Sequence, residues 1–197
     1  MGAQKLLLPF GSRTVIAHIV DQLLRSSLKA ICVVVGHEAD RVAGALAGRP
    51  VSIATNPDYR TGMLSSVRCG LRALPQDCDA VMVVLGDQPA VTTDLVDELI
   101  QSFKATDKGV LVPLHDGKRG HPILFSVRYR EEILTQYDDV GLRGLLRAHP
   151  ADIFEMPVAT PTVLSDMDYP EDYRQQVSLF ESRMKGETNG NDDRLQR

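Results

Sequence analysis

Two short stretches, Ala30 to Val35 (AICVVV) and Ala80 to Leu85 (AVMVVL), are apolar at every position and rich in β-branched residues. A strand with one wet face alternates apolar and polar residues, so a strand without alternation is one covered on both faces. Between such runs lie helical stretches. Val15, Ile16, Ile19, Val20, Leu23 and Leu24 fall on one helical face. Ser65 to Leu74, Leu95 to Phe103, Val140 to Ala148 and Glu171 to Met184 read as further helices, with Thr92, Thr93 and Asp94 offering caps ahead of Leu95. Val51 to Thr55 and Gly109 to Pro113 are weaker strands. Strand alternating with helix predicts an α/β fold of three layers, Rossmann-like, on a mostly parallel sheet. No linker or repeat divides the chain, so residues 1–184 are expected to form one domain. The stretch 185–197 (KGETNGNDDRLQR) carries too few apolar residues to offset the cost of ordering, and it is expected to be a disordered tail.

Charge and composition remove several classes of function. The 197 residues carry 22 Lys and Arg against 26 Asp and Glu, a net charge of −4, which argues against a nucleic-acid face. No apolar run nears the roughly 20 residues of a membrane span. Leu6 to Phe10 is too short for a signal-peptide core, and a cytoplasmic location is expected. Cys32, Cys69 and Cys78 are odd in number and widely spaced, a pattern of neither a disulfide framework nor a zinc site.

Ligands of such sheets sit at the carboxyl ends of the strands. After Ala80 to Leu85 comes Gly86-Asp87-Gln88-Pro89. A carboxylate there suits magnesium, which takes one or two carboxylates and completes its shell from phosphates and water; Asp87 could equally cap a turn. Lys5 enters an apolar turn and reads as either a solvated surface lysine or a phosphate partner. Asn56 to Val67 (NPDYRTGMLSSV) runs from a strand through a glycine-bearing loop into a helix. The helix start favours polar or anionic ligands, or Ser65 or Ser66 is simply an N-cap. His121, before the short strand Ile123 to Phe125, is either a ligand-facing residue or a loop histidine bonded to backbone. The other histidines, 18, 37, 115 and 149, show no ligand spacing.

Together these segments resemble, in order, the MobA-like nucleotidyltransferases, and most nearly their molybdenum cofactor cytidylyltransferase branch. Met1 to Pro9 is similar to the end of the family's opening L-A-A-G-x-S-x-R-M-G-x-x-K-x-L-L-P. Asn56 to Val67 resembles N-P-x-Y-x-x-G-x-x-S-S. Gly86 to Pro89 resembles the metal-binding G-D-x-P turn, and Gly120-His121-Pro122 the G-H-P of the cytidylyl branch. Asp139 to Leu146 and Asp166 to Asp172 resemble D-x-G-x-R-x-L-L and D-x-D-T-P-E-D. The resemblance covers residues 1–173.

It implies transfer of CMP from CTP to the phosphate of molybdopterin with release of pyrophosphate, for maturation of molybdenum hydroxylases. In these roles Asp87 would hold Mg2+, Lys5 would neutralise phosphate oxygens, and Asn56, Gly62, Ser65 and Ser66 would lie against base and ribose. His121 would face the acceptor. Partners would be CTP (or GTP), molybdopterin, and a molybdenum hydroxylase or its chaperone, with no nucleic acid and no membrane. Alternatives are guanylyl transfer, transfer to a sugar phosphate, or a non-catalytic maturation partner. Asp168 stands three residues before Glu171 with Pro170 between, a capping pattern; Asp166 is then the better second metal candidate, and both are kept. The family's first strand and its L-A-A-G-x-S-x-R loop have no counterpart here, so the sheet is expected to lack that strand.

Overall fold

The computed structural model describes residues 4–192, with side chains to Arg183. Strands β1 (Pro9–Phe10) and β2 (Arg13–Thr14) form a small hairpin that leads into α1 (Val15–Leu24). Then follow β3 (Cys32–Val35), α2 (Ala39–Ala45), β4 (Ser52–Thr55), α3 (Met63–Ala73), β5 (Ala80–Val83) and α4 (Thr93–Ala105). The second half holds β6 (Val110–His115), β7 (Lys118–Arg119), β8 (Ile123–Ser126), α5 (Arg130–Thr135), α6 (Arg143–Ala148), β9 (Ile153–Pro157) and α7 (Pro170–Asp192). Thr92 caps α4 as its position promised, accepting from Leu95 N–H at 3.3 Å. The expected tail begins at Lys185, but α7 continues helical to Asp192; residues 193–197 lie outside the described residues.

The fold is α/β with a mostly parallel sheet. β3 pairs parallel with β4, and β6 pairs parallel with β9. β5 and β6 both pair antiparallel with β8, so they run the same way with β8 reversed between them. α1 is the central helix: seven of its ten residues are buried. Its Val15, Ile19 and Leu23 pack with Val91, Val96 and Met167, while Ile16, Ala17 and Val20 pack with Val35, Val42 and Leu46. A second core under α3, α5 and α6 is built on Val81, Val110, Phe125, Ile133 and Leu145.

The sheet is interrupted. β3 and β5 each have a partner on one side only, and among the described residues no backbone hydrogen bond joins one to the other. Between them lies a cavity of about 1120 Å³ lined by both strands and by Ile19, Val67 and Leu71. Hence Val33, Val34, Met82 and Val83, expected to be covered on both faces, are only half-buried. The resemblance implies a sheet short of one strand, and the opening in this sheet lies between β3 and β5. The strands flanking it point the same way. Gln4 donates to the His37 carbonyl just past β3, and its neighbour Lys5 reaches Asp87 just past β5.

Candidate active site

The turn after β5 projects Asp87 over the carboxyl edge of the sheet. Its Oδ2 lies 2.5 Å from Lys5 Nζ, and the same ammonium is 3.2 Å from Asp168 Oδ1. Three residues far apart in the chain therefore converge on one point. Burial lowers the Lys5 pKa, but hydrogen bonds and charge from Asp87, and then from Asp168, outweigh it and leave it raised above 10.5. Lys5 is thus not a solvated surface lysine; its side chain is 31% exposed.

The segment carrying Asp168 is tied down at several atoms. Met167 is fully buried, and its N–H donates to the Asp87 carbonyl at 3.1 Å. In the capping pattern expected of Asp168 and Glu171, the back-reaching half is made by Asp172 instead of Glu171: its Oδ2 accepts from the N–H groups of Asp168 (3.0 Å) and Tyr169 (2.7 Å). The Asp168 carboxylate itself accepts from Lys5. Asp166 turns the other way, accepting from Gln88 Nε2 at 2.6 Å. Gln88 is 1% exposed and was not among the residues the sequence singled out. It stands inside the Gly-Asp-Gln-Pro turn, where only its burial distinguishes it from a solvated turn residue.

The loop after β4 is organised by Asn56, which is 3% exposed. Its Nδ2 donates to Ser65 Oγ (2.8 Å) and Ser66 Oγ (3.1 Å), and its Oδ1 accepts from Asp58 N–H (3.0 Å). Ser65 Oγ also reaches the carbonyls of Gly62 (2.8 Å) and Asp58 (3.0 Å). The asparagine and both serines form one brace at the start of α3, with Ser65 spending its hydroxyl on the loop rather than acting as a helix cap. Gly62 sits at φ 115°, a backbone state that favours glycine, with open space where a Cβ would stand. Ser66 lines the same cavity as Lys5 and Asp87.

His121 completes the corner. Its N–H donates to the Val163 carbonyl at 2.9 Å, and Gly120 before it approaches that same oxygen so closely that a Cβ would lie 2.3 Å from it. Burial pushes the imidazole below 6.5, opposed by the charges of Asp166 and Asp87. Among the described residues its buried Nε2 has no partner.

Among the described residues no group of three or more His, Cys, Asp and Glu is arranged to hold a metal ion. The convergent pair Asp87 and Asp168 does fit a hard cation that takes its remaining ligands from phosphates and water, since both already gather around one positive charge. The three cysteines are free. No helix among the described residues is long and apolar enough to cross a membrane.

Comparison with known proteins gives this geometry a context. Residues 1–153 match the family model of the MobA-like NTP transferase domain. The bifunctional protein GlmU of Mycolicibacterium paratuberculosis is 36% identical over 115 residues, 55% of this chain, which spans only 23% of that relative's length. The molybdenum cofactor cytidylyltransferase of Escherichia coli is 26% identical over 177 residues, 88% of this chain and 86% of its own. Among solved structures, Rv0371c of Mycobacterium tuberculosis superposes with a TM-score of 0.80 at 24% identity, covering 90% of each chain. Another structure of that protein, a complex with manganese, gives 0.72 at 23% identity, covering 90% of this chain and 93% of that one.

Proposed function

This chain belongs to the MobA-like NTP transferase domain family and is a nucleotidyltransferase, and from that premise we propose that it transfers CMP from CTP to the phosphate of molybdopterin. An oxygen of the acceptor phosphate attacks the α-phosphorus, the bond to the β-phosphate breaks, and pyrophosphate leaves. The dinucleotide form of the cofactor would then go to a molybdenum hydroxylase. The observation that carries this reading is the convergence of Lys5, Asp87 and Asp168 at the carboxyl edge of β5. Similarity to the cytidylyltransferase of E. coli along most of both chains supports the choice of nucleotide and acceptor.

Such transfer needs positioning and charge neutralisation rather than a covalent intermediate on the protein. Asp87 and Asp168 would hold Mg2+, which supplies charge neutralisation on the triphosphate when bound. Lys5, a compact charge on a flexible stem, is close enough to move from its carboxylates to phosphate oxygens. The Asn56 brace holds the start of α3 in place, so Gly62 and Ser66 present a fixed wall to base and ribose. His121, with its buried Nε2, would orient the acceptor.

The test is turnover with molybdopterin and either CTP or GTP, compared as kcat/KM, the ratio that defines discrimination. CTP is expected to win by about tenfold or more. Preference for GTP would move the chain to guanylyl transfer. Turnover only with a sugar phosphate as acceptor would replace molybdopterin, and no turnover with either nucleotide would favour a non-catalytic maturation partner.

A further inference from the structure

Gln88 is held at a cost that packing does not explain. Its amide is oriented by chemistry: a carboxylate only accepts, so the Nε2 group must face Asp166 and Oε1 must face away. That leaves Oε1 buried with no donor among the described residues. A buried acceptor without a partner destabilises a fold, because it has given up water and gained nothing in exchange. Such an atom calls for a reason, and a functional role is one of the few available.

The position of these atoms supplies the reason. Two buried side-chain polar atoms lack a partner among the described residues, Gln88 Oε1 and His121 Nε2. Gln88 meets Asp166 by hydrogen bond. Gln88 also directly follows Asp87. Its amide therefore links the Asp87 turn to the segment 166–168 at the far end of the chain, beside the backbone bond from Met167 to Asp87. Asp168, two residues beyond Asp166, is the carboxylate that meets Asp87 around Lys5.

We propose that Gln88 is a positioning residue for the acid pair: through Asp166 it holds Asp168 at the separation from Asp87 that a divalent cation requires. This rests on reading Asp87 and Asp168 as the cation-holding pair. A leucine at position 88 keeps the side-chain volume near constant and removes the unpartnered acceptor. Asp166 is exposed, so its freed carboxylate turns to water at little cost. Stability is then expected to hold or rise while cation binding falls, a combination that a merely structural glutamine would not give.

The experiment uses the full chain and Mn2+ alone as probe, read by calorimetry beside thermal melts. Gln88→Leu and Gln88→Met are expected to weaken Mn2+ binding about tenfold, the usual loss when an outer partner of a ligand is removed, with melting temperatures no lower than wild type. Asp166→Ala is expected to weaken binding as well, and combined with Gln88→Leu to add little. In turnover, the Mn2+ concentration for half-maximal rate should rise about tenfold while the rate at saturating Mn2+ recovers. Unchanged Mn2+ affinity in both position-88 variants, with Asp87→Ala abolishing binding, would overturn the proposal and leave the acid pair standing. A lowered melting temperature in both variants would make Gln88 structural and overturn it too. Mn2+ binding that survives Asp87→Ala would remove the acid pair itself, and the proposal with it.

Discussion

At the amino edge of the sheet, Asp152 accepts from Arg128 and from the hydroxyl of Tyr129, and Glu132 accepts from Tyr137 and His149. Arg130, 6% exposed, gives its guanidinium to the carbonyls of Leu71, Leu74 and Pro75 at the end of α3. At the carboxyl edge, Gln88 and His121 keep buried atoms without partners among the described residues, and one lysine is shared by two carboxylates. Similar residue types are used in opposite ways. Groups bonded to one another stabilise and are finished; groups left short of partners are available to a ligand. The same contrast runs across the sheet, whose half from β5 to β9 is paired without a break while β3 and β4 stand beyond a cavity.

The largest effect should come from closing that break. We expect that placing a β-branched strand of about five or six residues ahead of Met1, joined by a glycine-bearing loop, fills the cavity between β3 and β5. Unpartnered backbone groups cost roughly 1–3 kcal/mol each when buried, and a strand pairs along both edges. A domain of this size gains about 2–4 °C per kcal/mol, so the melting temperature should rise by about 10 °C or more. If the proposed function holds, titration with CTP and magnesium should show tighter binding, because such a loop would bring backbone N–H groups to the phosphates. Equal melting and equal affinity would show that the cavity is not a strand's seat.

Next in size is the acid pair. Asp87→Ala should lower turnover at least about 100-fold, as loss of a preorganised charge partner does. It should leave the melting temperature nearly unchanged, since a partly exposed ion pair contributes at most about 1 kcal/mol. Near-normal activity would take Asp87 out of the metal site. Arg130→Met probes the opposite edge and should give the opposite result. Three carbonyls at the end of α3 lose their donor, which should cost about 1–3 kcal/mol in urea unfolding with kcat/KM unchanged. If activity falls before stability does, the division between a structural edge and a functional edge fails.

The sequence disclosed these two edges unequally. The strands β3 and β5 were legible because an unbroken β-branched run has few other uses, and α1 because its apolar stripe is complete. The reversal of β8 was not, since periodicity is the same in either direction along a strand. β9 was missed because Ile153 to Pro157 ends in proline and contains Glu155, and α2 because Ala39–Ala45 is short and contains Gly44. At the site, the place of Asp87 after a strand and of Lys5 before a turn left each open to a bland reading, and only the resemblance singled them out. Asp168 could not be separated from a cap, because its spacing before Pro170 and Glu171 is the same whether its carboxylate turns to the helix start or to Lys5, and only the fold chooses the lysine. Gln88 left no signal: an amide in a turn is ordinary until its burial and its unpaired oxygen are seen.

The smallest expected effect separates the edges by pH. Burial raises the Asp152 pKa, but hydrogen bonds from Tyr129 and Arg128 dominate and hold it down at about 2, against 3.8 for the free side chain. A depressed carboxylate contributes stability that is present above pH 3.8 and lost as pH falls through 3.8 towards about 2. Tyr137 behaves in the reverse sense. Burial and its bond to Glu132 raise it to about 12, so its contribution is present below pH 10 and lost as pH climbs from 10 towards about 12. Both groups are partly exposed, and screening reduces each contribution to about 1 kcal/mol. Urea midpoints measured from pH 2 to 5 should therefore fall more steeply for wild type than for Asp152→Asn, and those from pH 9 to 12 more steeply than for Tyr137→Phe. Neither substitution should alter kcat/KM at neutral pH, because neither side chain reaches the carboxyl edge. Matching slopes in wild type and both variants would mean that the amino edge is no more tightly bonded than the site, and the contrast between the two would lose its electrostatic half.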